Sequence, residues 1–311
     1  MKLTIANKIS INIANEPLSS IGGKDFSVRK ASSVFVDNLY WIFADIVPHS
    51  HRYWPETYDT SIGLFRSTDC INWQYEGIIL KHRDKKFRFD FGGATTPGAI
   101  MFKGQVFLFY AGKENPDGSG KRHILLARAE SCNGVFKKRN EPIIESSSEY
   151  IHFDDPVAIL SENGQQIELY YRYANHKEGF YEIARITSYD GENWSSPITV
   201  LKSNKSVRAY ETADACRIKI ANQSYVLLSA FEHFITGKFK TGMRISIDGL
   251  TFSDVDGRCV YIDDYWNKPI PVCGLQTIFI SRNIQELEYI GIAGEIDKAR
   301  HYGIQIYPVH I

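Results

Sequence analysis

The sequence predicts an all-β protein, on three observations. Apolar runs of about four to eight residues, rich in Val, Ile, Phe and Tyr, alternate with clusters of Asn, Asp, Gly and Ser, the pattern of short strands and tight turns. No segment keeps a helical period, because Gly, Pro and β-branched residues interrupt every candidate. A double hairpin recurs along the chain at a spacing of roughly 55–65 residues, which marks a repeat architecture.

Taken in order, Met1 to Ile13 alternates loosely and reads as one strand with no partner close in sequence, followed by a polar connector to Gly23. From Ala31, ASSVFVDNLYWIFAD gives two strands about a turn at Asp37-Asn38. A polar, aromatic insertion, VPHSHRYWPETYDT, leads into SIGLFRSTDCINWQYEGIIL, two more strands about a turn from Ser67 to Asn72. The pattern returns in TPGAIMFKGQVFLFYAG with HILLARAESCNGVFKKRNEPII, and in DDPVAILSENGQQIELYYRY with YEIARITSYDGENWSSPITVL. It returns again in ETADACRIKIANQSYVLLSAF with GMRISIDGLTFSDVDGRCVYI, and finally in VCGLQTIFISRNIQELEYIGIAGE with HYGIQIYPVHI.

The last copy is one strand short, and the N-terminal strand can supply it and so remove an exposed sheet edge. The expectation is one domain over residues 1–311, a five-bladed β-propeller with four antiparallel strands per blade, the N-terminal strand closing the last. Its blades fall at about 31–80, 95–144, 154–201, 210–262 and 270–311 plus 1–13. A β-sandwich does not explain the paired-hairpin period. The turns STDCINW, SYDGENW and SIDGLTF share a Ser, an Asp two residues on and a later aromatic, which bond and anchor the turn and carry no chemistry.

Composition narrows the function. Lys plus Arg and Asp plus Glu both number 36, so no net field draws the protein to nucleic acid or to a membrane, and neither is expected as a partner. Aromatic residues at 13% suit large sheets and also suit stacking on sugar rings. The five cysteines are odd in number, widely spaced and without a CxxC pair, so neither a zinc site nor a disulfide framework is expected. The N-terminus lacks the continuous apolar core of a signal peptide, and the expected location is the cytoplasm. Gly-rich phosphate loops, a GxSxG elbow and HExxH are absent from the sequence, so no cofactor is expected, with a channel cation such as calcium left open.

In a propeller the first strand of each blade lines the central channel, and the strand entrances converge on one mouth. Four of those entrances read Arg29-Lys30-Ala31, Thr95-Thr96-Pro97, Asp154-Asp155-Pro156 and Tyr210-Glu211-Thr212; the fifth is Val272-Cys273-Gly274. Asp155 and Glu211 therefore meet from adjacent blades, and two acids sharing a partly dry mouth push one proton affinity upward, as a general acid at neutral pH requires.

On the DDP and YETAD segments and the blade pattern, the chain resembles the five-bladed propeller glycosidases of glycoside hydrolase families 43 and 32. The resemblance implies a glycan substrate and three channel acids: a base on blade one, an acid-tuning Asp on blade three and a general acid on blade four. By position Asp155 is similar to the tuning Asp and Glu211 to the general acid. Blade one departs from the family pattern, since Lys30 and Ala31 stand where the base belongs. Asp25, Asp45 and Asp90 are the alternatives for it, with Asp90 preferred because the glycines of RFDFGGATTPG permit an unusual backbone path.

Hydrolysis with inversion needs its two carboxyl groups roughly 6.5–9.5 Å apart, and retention needs them closer. Arg29 and Lys30 at the vacant position suggest instead an anion, either phosphate in a phosphorylase or transferase, or the acidic group of an anionic sugar. A carbohydrate-binding protein that has lost the base, and a scaffold for protein partners, are the other classes. Candidate substrate contacts are Asp154 beside Asp155, Arg172, Arg208, His233 and His301, together with His51 and Trp54 of the blade-one insertion, whose neighbours His49 and Tyr53 share its rim position.

Overall fold

The computed structural model describes residues 4–5, 12–13, 26–48, 60–117, 119–175, 180–220, 222–237, 239–254, 260–261, 276–283, 286–295 and 302–310. Among them there is no helix. The strands β1 (Thr4–Ile5) and β2 (Asn12–Ile13) are short. β3 (Phe26–Val36), β4 (Leu39–Pro48), β5 (Ser61–Ser67) and β6 (Asn72–Leu80) form an antiparallel meander, with β2 lying parallel on β6. β7 (Gly93–Phe102), β8 (Gln105–Lys113), β9 (Arg122–Ala129) and β10 (Lys137–Lys138) form the next.

β11 (Tyr150–Leu160), β12 (Ile167–Asn175), β13 (Phe180–Ser188) and β14 (Ile198–Leu201) continue the pattern. So do β15 (Val207–Ile220), β16 (Gln223–Phe234) and β17 (Phe239–Ser246), on which β18 (Ser253–Asp254) and β19 (Val260–Tyr261) both pair. A single parallel pair, Tyr181 with Ala209, joins these last two meanders into one sheet. Finally β20 (Gln276–Asn283), β21 (Glu286–Glu295) and β22 (Tyr302–His310) form a sheet whose edge is completed by β1, Thr4 standing opposite His310.

The N-terminal segment thus differs from the single strand expected. Thr4 and Ile5 join the last sheet, whereas Asn12 and Ile13 cross to the first and pair with Asn72 and Trp73. In sequence the polar pair Asn7-Lys8 separates the two apolar stretches.

The hairpin turns obey local chemistry. Asp37 and Asn38 both take positive φ, 54° and 59°, the left-handed pair that a two-residue turn of matching twist requires. In the Ser-x-Asp turns, Asp69 Oδ1 accepts the amides of Ile71 and Asn72, each at 2.8 Å, and Asp190 and Asp248 do the same two and three residues on. Their aromatics Trp73, Trp194 and Phe252 pack against the apolar clusters between strands. These turns are structural, as the sequence suggests.

Strands such as β8 are apolar on both faces because both are covered. Phe43 and Leu64 of the first sheet pack on Leu108 and Leu125 of the second, Phe107 and Phe109 on Leu169 and Tyr171, and Val157 and Tyr170 on Val226 and Leu228. Ile278 and Ile304 of the last sheet return to Val28 and Phe65 of the first.

The first strands β3, β7, β11, β15 and β20 pack each on the next, and β20 on β3. Hydrogen bonds stitch this ring. The Ala99 amide donates to Ser32 Oγ at 3.0 Å, and the Ser33 hydroxyl donates to the Phe279 carbonyl at 2.7 Å. Gly98 brings β7 so close to β11 that an added Cβ would stand 2.3 Å from the Pro156 carbonyl oxygen. Gly98→Ala is therefore expected to cost about 1–3 kcal/mol of stability, read as a lower urea midpoint at unchanged slope.

Candidate active site

Four of the first strands break register, between Val28 and Ala31, Thr95 and Gly98, Asp154 and Val157, and Thr212 and Asp214. An extra residue at such a bulge re-aims its side chain and ends regular pairing. The positions that the sequence picks out as strand entrances, Lys30, Thr96, Asp155 and Glu211, lie at or beside these breaks.

Asp155 adopts φ 51° and Thr96 φ 48°, each directly before a proline. A residue before proline normally keeps to the extended region, and a left-handed non-glycine conformation costs on the order of 1–3 kcal/mol. That cost is borne where the carboxylate is held by its surroundings, and Asp155 is 2% exposed.

Asp154 is bonded through both carboxylate oxygens. Its Oδ1 accepts the Thr96 hydroxyl at 2.7 Å and the Asp155 amide at 2.9 Å, and its Oδ2 accepts Arg172 Nη2 at 2.8 Å and Arg122 Nη1. Burial alone pushes its carboxyl up, but the two guanidinium groups and the hydrogen bonds outweigh it and hold it well below the usual carboxylate range.

Arg172 ties the acids together. Besides Asp154 it reaches Glu211 Oε1 with Nη1 at 3.0 Å and approaches Asp155 Oδ2 with Nε at 3.4 Å, and its guanidinium lies 4.8 Å from the centre of the Tyr181 ring. Glu211 Oε1 also faces His233 Nε2 at 3.2 Å. Asp45, Asp154, Asp155 and Asp214 are buried, whereas the Glu211 side chain keeps 23% exposure and so meets the solvent side of the cluster.

Asp155 is pushed up to about 6 by burial, with the charges of Asp154 and Glu211 adding to it and those of Arg172 and Lys30 opposing. Asp214 is pushed up to about 7 by burial, against the amides of Phe279 and Ala215 and the charge of Lys30. Both carboxyls take a proton more readily folded than unfolded, where an Asp titrates near ~3.9. Their contribution to stability is present below ~4 and is lost as pH rises through about 6 and about 7. Urea melts are expected to lose stability between pH 5 and pH 8, and Asp155→Asn to flatten that decline.

Several expectations from the sequence are corrected. Lys30 does not present its charge to a ligand anion: it is 1% exposed, and its ammonium donates inward to the Thr212 carbonyl at 2.7 Å. Asp90 is not brought to the cluster. Its carboxylate accepts Arg83 Nε at 2.7 Å, Lys138 Nζ at 2.7 Å and the Tyr110 hydroxyl at 3.0 Å, so the glycines after it carry β7 to the channel while the acid itself stays in an ion-paired corner.

Asp45, one of the two alternatives to Asp90, does arrive: its Oδ1 accepts the Lys30 amide at 2.6 Å and its Oδ2 the Thr95 hydroxyl at 3.3 Å, but it is completely buried. Arg208 is exposed in the register break before Ala209, which pairs with His233. The Arg29 side chain and all of Asp25, His49, His51, Tyr53, Trp54 and His301 lie outside the described residues.

The sequence reading missed Arg122, Asp214 and the linking role of Thr96. Arg122 opens a third strand, and a search confined to first-strand entrances passes it by. Among the described residues no group of three or more His, Cys, Asp or Glu side chains is arranged to hold a metal ion.

A ring of first strands from antiparallel sheets, with a solvent-facing Glu clamped to a buried Asp pair by one Arg at one end, is the architecture of a β-propeller with a candidate active site in its channel. Residues 33–267 match the model of the glycosyl hydrolases family 32 N-terminal domain, and the chain belongs to that family. No curated protein matches the sequence. Among solved structures the chain is similar to Zg3597, a family 117 glycoside hydrolase from the marine bacterium Zobellia galactanivorans, at 14% identity over 99% of this chain and 90% of that one, TM-score 0.68. Sucrose-6-phosphate hydrolase from Lactobacillus gasseri matches at 15% identity over 93% of this chain and 59% of that one, TM-score 0.67. The Cellvibrio cellulosa alpha-L-arabinanase complexed with arabinohexaose matches at 15% identity over 92% and 93%, TM-score 0.62. At these identities the structures speak for the fold.

Proposed function

We propose that the chain is a single five-bladed β-propeller that hydrolyses a glycosidic bond in an oligosaccharide or glycan. The observation that carries this reading is the Arg172 clamp, which joins Glu211 at the mouth to Asp155 and Asp154 behind it. In it Glu211 protonates the leaving glycosidic oxygen, with His233 on the same carboxylate. Asp155 sits behind as the buried acid that tunes it, and Asp154 orients Arg172. In this reading the partly exposed His233 beside Glu211 and the exposed Arg208 contact the sugar. Neither Lys30, which is turned inward, nor Arg172, which is engaged by three carboxylates, offers its charge to an acidic sugar group.

The water-activating group has no solvent-facing candidate among the buried Asp45, Asp154, Asp155 and Asp214. That observation favours a second reading, a carbohydrate-binding protein that keeps the channel without turnover. The test is a panel of neutral and uronic aryl glycosides, with and without phosphate, combined with binding of the matching sugars. Turnover without phosphate supports hydrolysis; turnover that needs phosphate replaces it with phosphorolysis; binding without turnover replaces it with the second reading.

A further inference from the structure

The strand β3 carries a lysine where two other first strands, β7 and β11, carry Thr96 and Asp155, and that lysine spans the channel. β3 and β15 are not adjacent in the ring of first strands, yet Lys30 Nζ donates to the Thr212 carbonyl of β15 at 2.7 Å while the Lys30 amide donates to Asp45 Oδ1 at 2.6 Å. Both ends of the residue are fixed, and it is 1% exposed. A buried ammonium is costly unless charges of opposite sign surround it. Those charges are present: Asp45 of β4, Asp154 and Asp155 of β11, and Asp214 of β15. The cations Arg122 of β9 and Arg172 of β12 both pair with Asp154, and Arg172 also pairs with Asp155 and Glu211.

We propose that Lys30 is a positioning residue, a counter-ion tethered across the channel that balances the buried carboxylates of Asp155 and Asp214. Two arginines do not neutralise the cluster, since Arg122 pairs with Asp154 and Arg172 is shared among three acids. The lysine supplies a third charge that cannot leave. The proposal takes the site described above as the reactive one, but its test reads stability and protonation, so it fails separately from the assignment of catalysis.

Lys30→Met, Lys30→Met with Asp155→Asn, and wild type are to be unfolded in urea at pH 8 and pH 5, and the aspartate carboxyl carbons titrated by NMR. The single variant is expected to lose stability at pH 8, to regain most of it at pH 5 where the unneutralised acids take protons, and to be more stable with Asp155→Asn added. The Asp155 carboxyl is expected to take its proton at least about one pH unit higher in Lys30→Met, a tenfold shift in its ionisation. If the single variant does not fold at pH 8, folding of the double variant there supports the proposal and its failure overturns it. Stability equal to wild type at both pH values, a loss equal at both and unrelieved by Asp155→Asn, or an unchanged Asp155 titration overturns it as well.

Discussion

Glu211→Gln is expected to keep the fold and to lower turnover of glycans with alkyl leaving groups by about 10²–10⁴-fold, the usual worth of a positioned general acid. The amide keeps the shape of the side chain and an oxygen for Arg172 and His233, so the clamp survives while the transferable proton does not. The loss is expected to shrink sharply for nitrophenyl glycosides, whose leaving oxygen departs without protonation. Binding of unhydrolysed sugar is expected to change little, which places the effect on kcat rather than on KM. Equal losses across leaving groups would remove Glu211 from the acid role, and the comparison is made with steady-state rates on matched pairs of substrates.

Arg172→Met is expected to have the largest effect on stability, a loss of about 3–5 kcal/mol, because it strips a buried cation from three carboxylates at once. Asp154 would keep Arg122 and Thr96, whereas Asp155 would keep Lys30 as the cation facing it. Arg172→Lys is expected to recover only part, since an ammonium is a point charge and cannot reproduce a planar fork that serves three partners. Arg88→Ala provides the contrast: its pair with Glu145 joins side chains 66% and 50% exposed, and its removal is expected to change stability by less than about 1 kcal/mol. Urea melts of the three variants decide the matter, and similar losses for Arg172→Met and Arg88→Ala would contradict the clamp.

The strands were legible in the sequence because each apolar run is bounded by turn residues whose chemistry is local: Asp37-Asn38 needs only two positive φ angles, and Asp69 needs only the amides that follow it. Asp154, Asp155 and Glu211 stood out for a related reason, since each precedes an apolar run of the repeat, although β11 and β15 begin earlier, at Tyr150 and Val207, and the acids lie within the strands rather than at their entrances. Side-chain direction was not legible. A bulge inserts a residue and breaks the alternation by which a strand's faces are read, so nothing in Arg29-Lys30-Ala31 tells whether the lysine points outward or across the channel. Asp90 misled for the opposite reason. Its glycines speak of backbone freedom, while its partners Arg83, Tyr110 and Lys138 lie 7, 20 and 48 residues away and leave no local trace. Asp214 and Arg122 matter through contacts of the same non-local kind.

The Ser33 to Phe279 bond joins residues 246 apart in the chain, and it lies on the seam where β3 meets β20. No local hairpin can form that seam; it has to wait until the intervening sheets have ordered, and contacts of such separation make β-rich chains slow to fold. The ring is thus kinetically uneven. Its hairpins are quick and nearly independent, and its last closure is late, so the channel whose acids need burial acquires it only at the final step of refolding.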